Sequence, residues 1–271
     1  LFLVEGEKLV FLLPGPPREL NPILEKDVIP LIRKHKQVAE LPSRHLKIAS
    51  IAESVLDARI EGIYRQYQDI DTTILATPGV ISLYFIGQGG GGSGTEARLE
   101  ELVGRIRAEM GIAVLTDREM SLEEVVGSIL REKGKTLALA ESCTGGLISK
   151  LLTDVPGSSG YFLGGVVSYS NSVKTGILGV RDLDLEVHGA VSEVVAEQMA
   201  EGVRQTLGAD LGLSVTGVAG PDGGTPAKPV GTVFIGLAGE RGIQSWHYQG
   251  VGARDMIRLR SANLALDRLR I

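Results

Sequence analysis

The 271-residue sequence predicts an α/β protein: a helix-covered sheet with three α/β/α layers, preceded by a small α+β unit. Two patterns carry this. From Ser121 onward, short apolar runs alternate with segments of helical apolar spacing, the order that covers both faces of a sheet with helices. Between about Glu40 and Asp117, strand-like and helical stretches come in blocks instead. Hydrophobic residues make up 43% and charged residues 23%, which over this length supports a sizeable core and more than one domain. The expected domains are 1–39, 40–117 and 118–271.

In chain order, residues 1–20 read as a strand ending in the Pro-rich turn LLPGPPREL, followed by an amphipathic segment to about Lys36. This piece is too small to bury a core alone. LKIAS (46–50) reads as a strand, and Leu56, Ile60, Ile63 and Tyr67 fall at helical spacing. TTILAT and VISLYFIG read as strands, EARLEELVGRIRAEMG as a helix, and IAVLTD closes the unit. GQGGGGSG (87–94) has the composition of a flexible linker. SLEE predicts a capping box, Ser121 with Glu124, opening a helix with the apolar face Leu122, Val125, Val126, Ile129 and Leu130. TLALA, GGVVSYS, LGLSV, VGTVFIGLA and a segment around Trp246 follow as strands. Helices are expected from about Gly146, after Asn171, over SEVVAEQMAEGVRQTL and from about Ala253.

The net charge of −5 argues against a nucleic-acid surface over the whole protein, and 4% aromatics leaves little for base stacking. One cysteine excludes an internal disulfide and suits a reducing cytoplasm. His35, His45, His188 and His247 lack ligand spacing, so no metal and no cofactor is expected. No stretch reaches the length of a membrane span, and the apolar N-terminus, interrupted by Glu5, Glu7 and Lys8, does not read as a signal peptide. A chain opening on Leu1 is expected to be the tail of a longer protein.

Unusual residues gather at four strand ends, where open α/β sheets bind ligands. The first is Glu141-Ser142-Cys143-Thr144-Gly145-Gly146, where hydroxyls meet a helix N-terminus whose N–H groups could hold an oxyanion. Ser142 or Thr144 also reads as a plain helix cap. The second is Ser168-Tyr169-Ser170-Asn171, with Asn171 as N-cap and Lys174 in the first helical turn. The helix field there disfavours an ammonium and favours a basic amine. The third is the loop Thr216-Gly217-Val218-Ala219-Gly220-Pro221-Asp222-Gly223-Gly224, suited to placing backbone donors around an anion. The fourth leads into a helix with Arg254 and Arg258 at i, i+4, able to grip an anion or simply to form a charged face. Two nucleophile–base pairs are compatible with this set: Cys143 with His188, and Ser142 with Lys174.

AESCTGG, PGSSGYFLGGVVSYSNSVK, GAVSE and TGVAGPDGGTPAKPVGTV resemble, in order from about Ser121 to Ile271, the C-terminal domain of the CinA (competence/damage-inducible protein) family. That domain is similar in activity to amidohydrolases that convert nicotinamide mononucleotide (NMN) to nicotinic acid mononucleotide and ammonia. The resemblance implies Ser142 as nucleophile, Lys174 as base, and Tyr169 and Thr216 as relay or orienting groups. It also implies a substrate site drawn from Cys143, Thr144, Gly145, Gly146, Asn171, Gly217, Ala219, Gly220, Pro221, Asp222, Gly223, Arg254 and Arg258. A homodimer is expected, with neither membrane nor nucleic acid as partner. LPGPPREL resembles the end of the family's molybdopterin-binding-like domain, and residues 40–117 resemble its KH-like domain. The GxxG match Gly87-Gln88-Gly89-Gly90 falls inside the linker and is no recognition loop. The alternatives are a nucleotide-binding or oligomerising module without turnover, and an ADP-ribose pyrophosphatase confined to the full-length parent.

Overall fold

The computed structural model describes residues 2–6, 8–36, 41–88 and 93–271. Two short strands, β1 (Phe2–Glu5) and β2 (Lys8–Phe11), open the chain as an antiparallel hairpin where one strand was expected. Gly6, at φ +60°, supplies the backbone conformation that reverses the chain between them. The amphipathic stretch that follows is helical, α1 (Pro17–Ile23) and α2 (Ile29–Lys36), joined through one π-helical turn.

A four-stranded antiparallel sheet comes next, in the order β4-β5-β3-β6. Its strands are β3 (Ser43–Ala49), β4 (Ile70–Thr77), β5 (Val80–Gly87) and β6 (Val114–Thr116). Helices α3 (Glu53–Tyr64) and α4 (Ser93–Met110) supply its core partners. Leu56 and Ile60 of the predicted apolar face pack with Leu46, Leu83, Phe85, Leu99 and Ile106. Of the expected linker, Gly87 ends β5 and Ser93 and Gly94 begin α4, because the strand pattern and the helix each continue into it. Residues 89–92, including part of the GxxG match, lie outside the described residues.

The capping box forms as expected: Ser121 N–H donates to Glu124 Oε2 at 2.7 Å, and Glu124 N–H to Ser121 Oγ at 3.4 Å. It opens α5 (Leu122–Glu132). There follow β7 (Leu137–Glu141), α6 (Leu147–Thr153), β8 (Phe162–Val167), α7 (Asn171–Leu178), α8 (Asp182–His188), α9 (Glu193–Leu207), β9 (Leu211–Gly217), β10 (Thr232–Gly239), β11 (Gly242–Gln249) and α10 (Arg254–Arg270). The strands form one sheet in the order β11-β10-β9-β7-β8, with β8, β7 and β9 parallel and β10 antiparallel to both neighbours. Helices flank it: Leu137 and Leu139 of β7 face a core with α5, α6 and α10, while Ala138 and Ala140 face α7 and α9. Gly212 allows the second layer to close, since a Cβ there would strike the Ala200 carbonyl. Helix α8 ends at His188, and Asp182 and Asp184 in its first turn suit the helix N-terminal field.

The two larger sheets share packing. Ala49 and Leu115 belong to the same core as Leu122 and Val126. Lys47 Nζ donates to Met120 O at 3.0 Å, Arg270 to Ile112 O at 2.7 Å, and the Asn263 amide to Pro78 O. Among the described residues, no helix is long and apolar enough to cross a membrane.

Candidate active site

Strands β7, β8, β9 and β11 all run the same way, so their C-terminal ends fall on one edge of the sheet, and the four loops singled out in the sequence leave from that edge. At its centre Lys174 Nζ lies 3.2 Å from Ser142 Oγ. Ser142 is half-buried at the end of β7, fixed by its N–H donating to Val215 O at 2.9 Å.

Ser170, not Asn171, caps α7: its hydroxyl accepts the Val173 N–H at 3.3 Å, and Asn171 is the first helical residue, exposed. Lys174 therefore sits at the end of the first turn. Side chains on a helix lean toward its N-terminus, which carries this amine back to the end of β8. There Nζ donates to Ser168 O at 2.5 Å. The side chain is 1% exposed and meets no carboxylate among the described residues, and burial holds its pKa below the usual lysine value. A neutral amine with one N–H committed to Ser168 O can present its lone pair to the Ser142 hydroxyl.

Cys143 points away from this pair. It is 6% exposed within the α5/α6/α10 core, and burial raises its thiol pKa to about 11. His188 is exposed and its carbonyl accepts from Lys228 Nζ, so the Cys143–His188 pair does not assemble. Adjacent residues here face opposite sides, Ser142 toward Lys174 of α7 and Cys143 toward the α5/α6/α10 core.

Neither Ser142 nor Thr144 caps α6. That role belongs to Glu141, which the sequence reading left without one. Its carboxylate is 1% exposed and accepts the N–H groups of Gly146 at 3.0 Å, Ile148 at 3.1 Å and Ser149 at 2.8 Å, and the Ser149 hydroxyl at 2.7 Å. The anion sits on the positive end of the helix, and nothing else could satisfy these donors once buried. Gly145 N–H donates to Ser142 O at 3.1 Å. The expected oxyanion donors therefore narrow: those of Gly145 and Gly146 are committed, while the N–H groups of Cys143 and Thr144 are not held by any other residue among those described, that of Cys143 meeting only its own thiol. Gly145 and Gly146, at φ +58° and +91°, make the turn that aims them. Thr144 Oγ1 and Ser168 Oγ, on either side of the pair, are buried without a hydrogen-bond partner.

Arg258 also departs from its expected role as an open anion grip. Its Nε donates to Cys143 O at 3.2 Å and its Nη2 to Thr144 O at 2.6 Å, so it braces the turn from behind. Arg254 is exposed at the rim, donating to Gly220 O at 2.6 Å and to Tyr169 OH at 3.1 Å, and Tyr169 is 63% exposed beside it. Thr216 is buried and its hydroxyl donates to Ala190 O at 2.8 Å; the β7–β9 register places it next to Ser142 without a bond between them. Gly217 ends β9 and Ala219 is buried against the core. Pro221, Asp222 and Gly223 are exposed in the loop beyond Gly220. Among the described residues, no group of three or more His, Cys, Asp or Glu could hold a metal ion.

The CinA C-terminal domain family matches residues 119–271. The chain is 42% identical to the CinA-like protein of Koribacter versatilis over 98% of its own length and 66% of the relative's. It is 40% identical to the CinA-like protein of Dictyoglomus thermophilum over 100% of its length and 66% of that relative's, so it spans just under two thirds of these proteins. Among solved structures, the competence/damage inducible protein CihA of Agrobacterium tumefaciens is 38% identical, with a TM-score of 0.54 over 55% of this chain and 91% of that one. The competence damage-inducible protein A of Klebsiella pneumoniae is 32% identical, also at 0.54, over 55% and 92%.

Proposed function

The chain belongs to the CinA family, and from that premise and the Ser142–Lys174 geometry we propose that it hydrolyses the carboxamide of NMN to nicotinic acid mononucleotide and ammonia. The observation that carries the reading is the buried, uncharged-leaning amine of Lys174 within 3.2 Å of a solvent-reachable serine hydroxyl.

In this mechanism the Ser142 hydroxyl gives its proton to Lys174 Nζ as Oγ attacks the carboxamide carbon. The oxyanion is met by the Cys143 and Thr144 N–H groups, neither of which is held by another residue among those described. Lys174 returns the proton to the departing nitrogen and ammonia leaves. A water then gives a proton to Lys174 and attacks the acyl-serine, Lys174 returns that proton to Ser142 Oγ as the acyl bond breaks, and the acid departs and ionises to the carboxylate. The pyridinium ring already withdraws electrons from the carbonyl. Arg254, Tyr169 and the 217–224 loop form the rim suited to the substrate's phosphate and ribose. The expected homodimer, cytoplasmic location and three-domain division belong to the same reading.

The experiment is ammonia release from NMN by purified protein with a chelator present. Product formation supports the reading. NMN binding without ammonia would replace it with a nucleotide-binding module, and absence of binding would remove both.

A further inference from the structure

A cavity of about 610 Å³ lies between the two larger sheets, and none of its lining residues belongs to the loops around Ser142. Its walls are the β3–α3 turn, the β4–β5 hairpin, the end of β11 and one face of α10. On α10 the lining residues are Met256, Arg260, Leu264 and Arg268, a row at i+4 spacing. Arg254 and Arg258 lie on a different face of the same helix and serve the Ser142 turn. One helix thus offers one arginine pair to each site.

The cavity pair is not neutralised by the protein. Arg260 gives one N–H to Val251 O at 3.2 Å. Arg268 lies 5.4 Å from the Trp246 ring centroid, and its buried Nε has no partner. Neither forms an ion pair among the described residues, whereas Arg270, two residues beyond Arg268, is held by Asp267 at 2.7 Å. Two guanidiniums eight residues apart on a helix are separated by about 12 Å along its axis, so they bracket a ligand rather than share one oxygen. Across the cavity, α3 starts at Ala52 with no side-chain cap, and both the Val55 and Leu56 N–H groups turn to Ala52 O. The remaining lining is mixed, with Ile51, Pro78, Leu264 and Tyr248 as its larger apolar members and Ser50, Thr77 and His247 as polar ones. The one carboxylate in the lining, Glu53, is exposed.

The volume far exceeds what an inorganic anion needs and falls within the ordinary range for organic ligands. We infer that this cavity is a second binding site, separate from the Ser142 site, for an organic phosphate of mononucleotide size, with the phosphate on Arg260, the base reached by Arg268 and the body of the ligand between them. A ligand there would touch both sheets at once and bear on α10, the helix that also braces the Ser142 turn.

The test is calorimetric titration of AMP into the intact chain and into Arg260→Gln, Arg268→Gln and Arg260→Lys, each checked for folding by circular dichroism. Binding should weaken tenfold or more in each Gln variant, since a charged hydrogen bond is lost, and Arg260→Lys should recover part of it. Ammonia release from NMN without AMP should stay within about twofold in every variant, which separates this site from the proposed amidohydrolase. Failure of AMP to bind, binding unchanged in both Gln variants, or inorganic phosphate binding as tightly as AMP would each overturn the inference.

Discussion

Replacing Glu141 by Gln tests the account of the Ser142 turn most directly. The carboxylate accepts two hydrogen bonds on each oxygen, three from backbone N–H groups and one from Ser149 Oγ. A glutamine keeps the shape but offers one acceptor oxygen and an NH2. The better of its two orientations keeps the Gly146 and Ile148 N–H groups paired and lets the Ser149 hydroxyl rotate to accept. The Ser149 N–H then faces a donor and is orphaned in a buried place, costing roughly 1–3 kcal/mol. The surviving bonds also lose their charge assistance, which brings the expected loss to about 3 kcal/mol. For a unit of this size that corresponds to roughly 6–12 °C in melting temperature. Because Ser142, Cys143 and Thr144 lie between Glu141 and the donors it holds, kcat should fall further than KM rises. Urea unfolding and NMN-dependent ammonia release would read the two effects. A variant within about 1 kcal/mol of the parent and fully active would refute the reasoning, since it would mean the buried carboxylate neither caps α6 nor sets the turn.

Ser142→Ala should lower ammonia release by about 10³-fold or more with folding intact by circular dichroism, because among the described residues no other side-chain hydroxyl or thiol is hydrogen-bonded to Lys174. Lys174→Met should cost about 10²–10⁴-fold in rate. The same variant should change the pH dependence of unfolding. The folded chain keeps this amine neutral where the unfolded chain protonates it, so stability rises with pH between the lowered folded pKa and the ordinary lysine value of about 10.4, and Met should abolish that rise. In the parent, kcat/KM should climb on the alkaline side with a midpoint below 10.5, the value of an unperturbed lysine. Cys143→Ala should retain activity within about threefold and lose about 1 kcal/mol from the vacated core space, read by the same two assays. Arg258→Gln should lower kcat by removing the brace on the Cys143 and Thr144 carbonyls while the circular dichroism spectrum is kept.

The sheet and the unusual place of Lys174 were legible because each rests on a local signal, whereas the choice of Ser142 over Cys143 as its partner came from the resemblance to the CinA family. Apolar alternation marks the strands, and a lysine in a first helical turn is conspicuous wherever it occurs. What the sequence left ambiguous is which donor meets which acceptor, since that depends on side-chain direction across elements distant in the chain. Arg254 and Arg258 share a helix face in the sequence as in the structure. Yet one turns to carbonyls 114 and 115 residues away and the other stays at the rim, a difference that no spacing rule carries. Glu141 is the intermediate case, because a readable signal was present. Strand side chains alternate, so Glu141 shares the face of Leu137 and Leu139, the one covered by α6, and a carboxylate on that face just before a helix start is placed to meet its N–H groups. The same alternation decides between the two nucleophiles. Once Glu141 is turned to α6, the chain leaves the strand through Ser142 on the face of Ala138 and Ala140, toward α7, and the turn then returns Cys143 to the other core. The serine is thus exposed to Lys174 by the same two-residue period that buries the thiol, without any difference in intrinsic reactivity being needed to choose between them.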